Sequence, residues 1–327
     1  MYQQQHPPIA RLRKLRFVEL CTTALDDSAD FYAGAWGLNT VERDHDRAWL
    51  RGTGPEHHIL QLTEAPKNGL GRISFAVATP AEIDEAARRL EARNIPIVFG
   101  PAPSENAGAG YSLQFLDPEG RIIELLADFW AVPELRNDDA VPQSLAHVVL
   151  NTSDIDRSVD FYRDVLGMRV SDWSEHQMAF MRCNSDHHSI AFNQAEWASV
   201  NHVAYEMPSI DHFMRGIGRL RHTGQVPMWG PGRHGPGDNT FSYFGDPAGL
   251  VCEFTSEVAQ IDEDQWLCKV WRRVPELSDT WGTAGPPSRD VRSHMAGVPD
   301  EGFFHLVEDA SALETFGDRP LSLQQTT

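Results

Sequence analysis

The sequence predicts an α+β protein of four β-α-β-β-β modules, paired into two cupped, incomplete barrels. Three observations predict it: an internal duplication, a repeated strand–helix–strands rhythm inside each copy, and a length suited to a domain pair. Sliding the chain by 130 residues aligns 17–38 with 147–168 without a gap, and Val18, Leu20, Thr22, Asp26, Ser28, Asp30, Phe31, Tyr32 and Gly37 all recur. The same offset carries His57-His58 onto His187-His188 and Gly100-Pro101 onto Gly230-Pro231. One deletion later, Asp117-Pro118-x-Gly120 meets Asp246-Pro247-x-Gly249. A chance match does not hold one offset over such a span, so the repeat sets the architecture. The 327 residues suggest two domains at roughly 150 each. The expected organisation is a domain over 1–130, a second over 131–256, a hinge near 128–144 and a unique tail over 257–327.

In the second copy, His147-Val148-Val149-Leu150 alternates as a strand does, and DRSVDFYRDVLG is an amphipathic helix ending at Gly167. Strands RVSDWS, QMAFMRC and HSIAFN complete that module. HVAYEM, the helix SIDHFMRGIGRLRH, VPMWG, TFSYFGD and LVCEF then repeat the order. In the first copy Thr79-Pro80-Ala81-Glu82 is a capping box with proline at the first helical position.

Composition narrows the function. Acidic residues outnumber basic ones 47 to 28, giving a formal charge of −19, and such a surface repels nucleic-acid backbones and anionic lipid. No apolar run approaches the ~18 residues of a membrane span, and the polar start reads as no signal peptide. The four cysteines, Cys21, Cys183, Cys252 and Cys268, have no paired spacing; they read as reduced thiols of a cytoplasmic protein, neither disulfides nor a zinc site.

The positions at which the copies differ carry the chemistry. His147 stands opposite Phe17, His202 opposite Arg72, His234 opposite Ser104 and Tyr243 opposite Gln114, while Glu253 and Glu124 match. His147 and His202 are expected to open the first strand of their modules, with Glu253 in a last strand. Ala204 and Glu206 share the less apolar face with His202. A strand histidine alone is most often a satisfied structural residue. Three ligand-type residues at equivalent places of a repeat are a different matter: two imidazoles and a carboxylate are the facial triad of non-haem Fe(II), and Mn(II) fits the same donors. The run 230–239, rich in glycine and proline, is expected to be a loop presenting His234, not a phosphate cradle, because no helix follows.

The run Gly232-Arg233-His234 … Ser242-Tyr243-Phe244-Gly245-Asp246-Pro247-Ala248-Gly249 … Glu253 resembles the signature of the type I extradiol ring-cleaving dioxygenases. These are the catechol 2,3-dioxygenase and 2,3-dihydroxybiphenyl 1,2-dioxygenase group of the vicinal oxygen chelate superfamily, which includes glyoxalase and bleomycin resistance proteins. Ser242 departs from the apolar residue preferred there. The resemblance covers about 15–256 and implies tandem vicinal oxygen chelate domains, the first without metal. It implies that His147, His202 and Glu253 hold Fe(II), or Mn(II), and that His188 assists oxygen activation and proton transfer. It implies that His234 and Tyr243 hydrogen-bond a catecholic substrate cleaved with O2 in aromatic degradation, and that the chain forms a homo-oligomer.

Strand parity turns His187 away from His188 and leaves it a structural role. Trp173, Phe180, Met228 and Trp229 are expected mainly in the core, and His212 and His222 in solvent. The first half of the tail, with Trp266, Trp271 and Trp281, is expected to pack on the catalytic domain or another subunit, and its polar end to be loose. Two other functions share the fold: a metal-dependent isomerase resembling glyoxalase I, and a metal-free protein that binds an aromatic ligand.

Overall fold

A computed structural model of the chain describes residues 7–104 and 106–300. The first six residues and the polar end expected to be loose lie outside the described residues. The first module is β1 (Lys14–Thr22), α1 (Leu25–Ala33), β2 (Asn39–Arg43), β3 (Arg47–Arg51) and β4 (Leu60–Glu64). The second is β5 (Gly69–Ala76), α2 (Pro80–Glu91), β6 (Ile97–Pro103), β7 (Tyr111–Leu116) and β8 (Ile122–Ala127). The second copy repeats this as β9 (Ser144–Thr152), α3 (Ile155–Asp164), β10 (Arg169–Ser174), β11 (Met178–Arg182) and β12 (Ile190–Gln194). Its second module is β13 (Ser199–Glu206), α4 (Ile210–His222), β14 (Trp229–Arg233), β15 (Thr240–Gly245) and β16 (Val251–Ser256). The tail adds β17 (Lys269–Trp271), α5 (Pro275–Ser278) and α6 (Arg289–Met295). The fold is therefore the four-module α+β arrangement read from the sequence.

Helix starts follow their caps. Thr79, Asp154 and Ser209 accept hydrogen bonds from the backbone N–H three residues on, which begins α2, α3 and α4. Helix α3 buries Ile155, Val159, Phe161 and Tyr162 on one face. The strands form an eight-stranded sheet, β2-β3-β4-β1-β5-β8-β7-β6, and a nine-stranded one, β14-β15-β16-β13-β9-β12-β11-β10-β17. In each, the first strands of two modules pair antiparallel at the centre, β1 with β5 and β9 with β13.

The two copies are bound by contacts that repeat with them. The Tyr32 hydroxyl donates to Asp246 (3.3 Å) and the Tyr162 hydroxyl to Asp117 (3.2 Å), so each copy's helix tyrosine meets the other copy's Asp-Pro turn. These are residues that recur at the repeat offset, and this contact is a use for them that the family signature does not state. Trp36, fully buried, stacks on Phe254 (3.9 Å between centroids) and packs against Tyr205 and Phe244. Truncating a side chain so buried typically costs about 3–5 kcal/mol.

Candidate metal centre

Register builds the site. In the second sheet β9 pairs β13 with His147 opposite Ala204, β13 pairs β16 with Ala204 opposite Glu253, and β16 pairs β15 with Glu253 opposite Tyr243. Trp229 of β14 lies beside Tyr243. One row across five strands thus reads Trp229–Tyr243–Glu253–Ala204–His147. Neighbouring strands stand about 4.8 Å apart, so His147 and Glu253 lie two spacings apart and must reach over the residue between them. Alanine at 204 leaves that space open. His202 sits one step along β13, where a bulge at Asn201 shifts the register. Both histidines are the fourth residues of their strands, β9 and β13, and do not open them: each strand starts three residues earlier than the sequence pattern shows.

His147 Nε2 and His202 Nε2 lie 3.2 and 3.1 Å from Glu253 Oε2. Donor atoms of all three residues fall within 4.8 Å of one another, and all three are buried. The donors fit a divalent ion. His202 Nδ1–H donates to Asn201 Oδ1 (2.8 Å), which leaves the neutral ring's Nε2 lone pair facing a carboxylate oxygen. Glu253 Oε1 and His202 Nε2 have no hydrogen-bond partner. Two buried lone pairs pointed at each other are repulsive unless a cation lies between them. Donors about 2.1 Å from one ion at right angles stand about 3 Å apart, as each histidine nitrogen does from Glu253 Oε2. Burial would raise the Glu253 carboxyl, but opposing effects led by the hydrogen bond and charge of His147 bring it to about 2, ionised at any physiological pH.

Two groups flank the triad. The His188 ring lies 4.2 Å from that of His147, and the Tyr243 ring 5.0 Å from that of His202. Tyr243 Oη is 3.0 Å from His234 Nε2, and His234 Nδ1 is 2.9 Å from the Ser278 carbonyl. A carbonyl only accepts, so Nδ1 carries the His234 proton, and Nε2 accepts from the Tyr243 hydroxyl. Burial lowers His234 to about 4, and lowers His188 well below the usual imidazole range, reinforced by His147 and its other imidazole neighbours. Burial, and then the charge of Glu253, hold the Tyr243 phenol well above its usual range.

The stretch 230–239 is not wholly a loop. Residues up to Arg233 belong to β14, and only the remainder turns back to β15. Of the four apolar candidates, Phe180 packs on His188 (5.3 Å) and Trp229 stacks on Tyr243 (5.2 Å), so both wall the site, whereas Trp173 packs against the main core. His222 is exposed, but His212 is half-buried against Ser209 Oγ (2.8 Å).

Several residues at the site carried no sequence signal. Asp172, Asn201, Ser278 and Asp279 brace it; Asp279 accepts from the N–H groups of Arg233, Trp281, Ala284 and Gly285. Only Asn201 could have been found, as a polar side chain where the sister copy has Gly71. The tail packs on the second sheet. Strand β17 pairs with β10, Trp229 Nε1 donates to the Gly285 carbonyl, and Met295 and Ala284 pack on Phe241, Tyr243 and Val251.

A family model for the glyoxalase/bleomycin resistance protein/dioxygenase superfamily matches residues 14–125 and 144–254. The chain belongs to that superfamily. Its matches to curated members include metapyrocatechase 2 of Cupriavidus necator, 28% identical over 62% of this chain and 68% of the relative. A manganese-dependent 2,3-dihydroxybiphenyl 1,2-dioxygenase of Geobacillus genomosp. 3 is 26% identical over 80% of this chain and 91% of the relative. Among solved structures, a Mn(II)-bound glyoxalase from Novosphingobium aromaticivorans is 37% identical with a TM-score of 0.82, covering 86% of this chain and 94% of that one. Homoprotocatechuate 2,3-dioxygenase of Arthrobacter globiformis shares the fold at 23% identity, with a TM-score of 0.80, over 91% and 94% of the two chains. Among the described residues no helix is long and apolar enough to cross a membrane.

Proposed function

We propose that this superfamily member is an extradiol ring-cleaving dioxygenase, opening a catechol-type ring with O2 at a single Fe(II) or Mn(II). The observation that carries the reading is the pairing of the buried His147–His202–Glu253 triad with the His234–Tyr243 hydrogen bond on one flank and His188 on the other. The bound ion would supply coordination positions for both catechol oxygens and for O2. The residues do the rest. Tyr243 Oη, donating to His234 Nε2, keeps lone pairs free to accept a substrate hydroxyl, so a catechol proton can pass to Tyr243 as the Tyr243 proton passes to His234. His188 lies beside the His147 ring, where it would hold or pass a proton for the substrate and O2 bound at the ion. Trp229, Phe241 and Phe180 form apolar walls that limit water. In this reading 131–256 is the catalytic domain, 1–130 a metal-free scaffold and 257–327 a covering tail, in a cytoplasmic homo-oligomer.

The relative called a glyoxalase favours a second reading, a metal-dependent isomerase. Enzymes resembling glyoxalase I use more carboxylate or amide ligands, and have no use for His188, His234 and Tyr243 together. The groups flanking this triad are imidazoles and a phenol. Anaerobic purification, metal analysis and O2 uptake against a panel of catechols separate the two. One metal per chain and a yellow ring-opened product support the dioxygenase; no O2 uptake with turnover of a hemithioacetal overturns it.

A further inference from the structure

His187 does not turn away from the site. Strand β12 begins only at Ile190, so both His187 and His188 lie in the preceding loop, where strand alternation has no force. Their Nδ1 atoms are 3.1 Å apart, with the rings nearly perpendicular. On its other side His187 Nε2 lies 3.1 Å from Asp172 Oδ2, and both residues are fully buried.

We propose that Asp172 and His187 are positioning residues that fix the tautomer of His188, placing an unprotonated Nε2 on the metal side. Its purpose rests on the dioxygenase reading, and its content on the hydrogen bonds that link Asp172, His187 and His188. Asp172 is held by the tail: Lys269 N–H donates to Oδ1 (2.8 Å) and Trp271 Nε1–H to Oδ2 (2.7 Å). Burial would raise its carboxyl, but hydrogen bonds from His187, Trp271 and the Lys269 backbone outweigh that and lower it, so it is an anion and only accepts. His187 must therefore carry a proton on Nε2, which in the neutral ring leaves Nδ1 a lone pair. Across 3.1 Å that lone pair needs a donor, and His188 Nδ1–H is the one present. His188 is then protonated at Nδ1 and free at Nε2, able to accept a proton from the substrate side. The logic is that of a buried carboxylate orienting a catalytic imidazole, extended by one ring.

The first copy supplies a natural comparison. His57 and His58 make the same contact (3.2 Å), but the residue matching Asp172 is Glu42, which is exposed. The pair of histidines is inherited from the scaffold; the buried carboxylate behind it is particular to the catalytic copy.

The test is nitrogen-15 NMR of histidine-labelled full-length protein loaded with Zn(II), with no substrate present. Expected are a proton on His188 Nδ1 and a bare Nε2, with the reverse at His187. His188 protonated at Nε2, or His187 protonated at both nitrogens, overturns the proposal. Two variants extend it. His187→Phe should leave His188 a mixture of tautomers and lower kcat by roughly 10–100-fold with KM changed less than about threefold. His187→Gln, whose carbonyl can accept from His188 while its amide donates to Asp172, should restore the single tautomer and most of kcat. A merely structural His187 would make phenylalanine the better replacement, and that order would overturn the proposal too. Because the NMR reading needs no turnover, it decides the tautomer even where the protein proves not to cleave catechols, and the wild-type spectrum stands if a variant fails to fold.

Discussion

The two cups place different side chains on the same row of backbone. In the second copy the row reads Trp229–Tyr243–Glu253–Ala204–His147; in the first copy it reads Phe99–Gln114–Glu124–Ser74–Phe17. Where His202 presents a lone pair, Arg72 presents a guanidinium. Arg72 Nε lies 2.9 Å from Glu19 Oε2 as an ion pair, Nη2 donates to Gln61 Oε1 (3.0 Å), and Nη1 donates to Glu124 Oε1 (3.4 Å). The cation that a metal would supply is thus built into the chain. Phe17, in the place of His147, packs against His58 at 4.4 Å. The exchanges are coupled sterically: a Cβ on Gly71 would come 2.6 Å from Glu19 Cγ, so Glu19 requires glycine there. With Val149 matching Glu19, the same position can hold Asn201, which orients His202. One scaffold carries either a fixed ion pair or a metal site, and a few linked positions decide which.

The largest effect should come from the ligands. The His147→Ala/His202→Ala double variant should lose its metal and all turnover, while the wild type binds one ion per chain. Metal analysis checks this; two ions per wild-type chain would mean the first cup is not the closed one described. Next is His188. His188→Gln should keep metal and catechol binding but slow the oxygen-dependent steps by roughly 10²–10⁴-fold, seen by rapid mixing with a chromogenic catechol. Equal loss of metal would make it a ligand instead. In the first cup, Arg72→Met should leave Glu19 and Glu124 buried without their cation, at a cost of roughly 3–5 kcal/mol in denaturant unfolding, with metal content unchanged. A neutral result there would show that the ion pair is not what closes that cup.

Much of this was legible in the residues. The duplication sets module order, and comparing the two copies separates His147, His202, His234 and Tyr243 from scaffold residues by sequence alone. What stayed hidden was interaction across sequence distance. Asp172 and His187 read as an ordinary strand polar residue and a neighbour of opposite parity, because nothing local says that β12 starts at Ile190. The Ser278 carbonyl that fixes the His234 tautomer has no side-chain signature at all. Tyr32 and Asp246 were visible as repeated residues, yet only the fold reveals that each copy's tyrosine is spent on the other copy's turn.

That His234–Tyr243 link predicts a smaller effect. Tyr243→Phe keeps the ring against Trp229 but removes the hydroxyl that His234 accepts from, and His234→Asn withdraws the ring nitrogen that accepts it. Each should retain its metal and lower kcat/KM by roughly 10–150-fold, about 1.5–3 kcal/mol of lost hydrogen bonding. Unchanged steady-state kinetics in both would take this flank out of the reaction and favour the isomerase.

The smallest effect tests what the copies share. Asp117 and Asp246 are equivalent, but Asp117 has Arg121 nearby (3.7 Å) and the residue at that place in the second copy is Leu250. Burial pushes the Asp246 carboxyl up to about 6, against the opposing hydrogen bonds of the Leu250 backbone and Tyr32. A carboxyl raised in the folded state binds its proton more tightly there than in the unfolded chain. Its contribution is therefore fully present below the unfolded value near 4 and lost as the pH climbs through about 6. Stability should accordingly fall by roughly 1–3 kcal/mol between pH 4 and 7 from this group alone. Asp246→Asn keeps an oxygen for the backbone N–H groups and cannot ionise, so its denaturation midpoint should vary less with pH over that window and exceed the wild type's at pH 7. Asp117→Asn, which strips Arg121 of a buried partner, should instead destabilise at pH 7. If the two variants behave alike, the lone arginine is not what distinguishes the turns, and the pH response belongs to the interface as a whole.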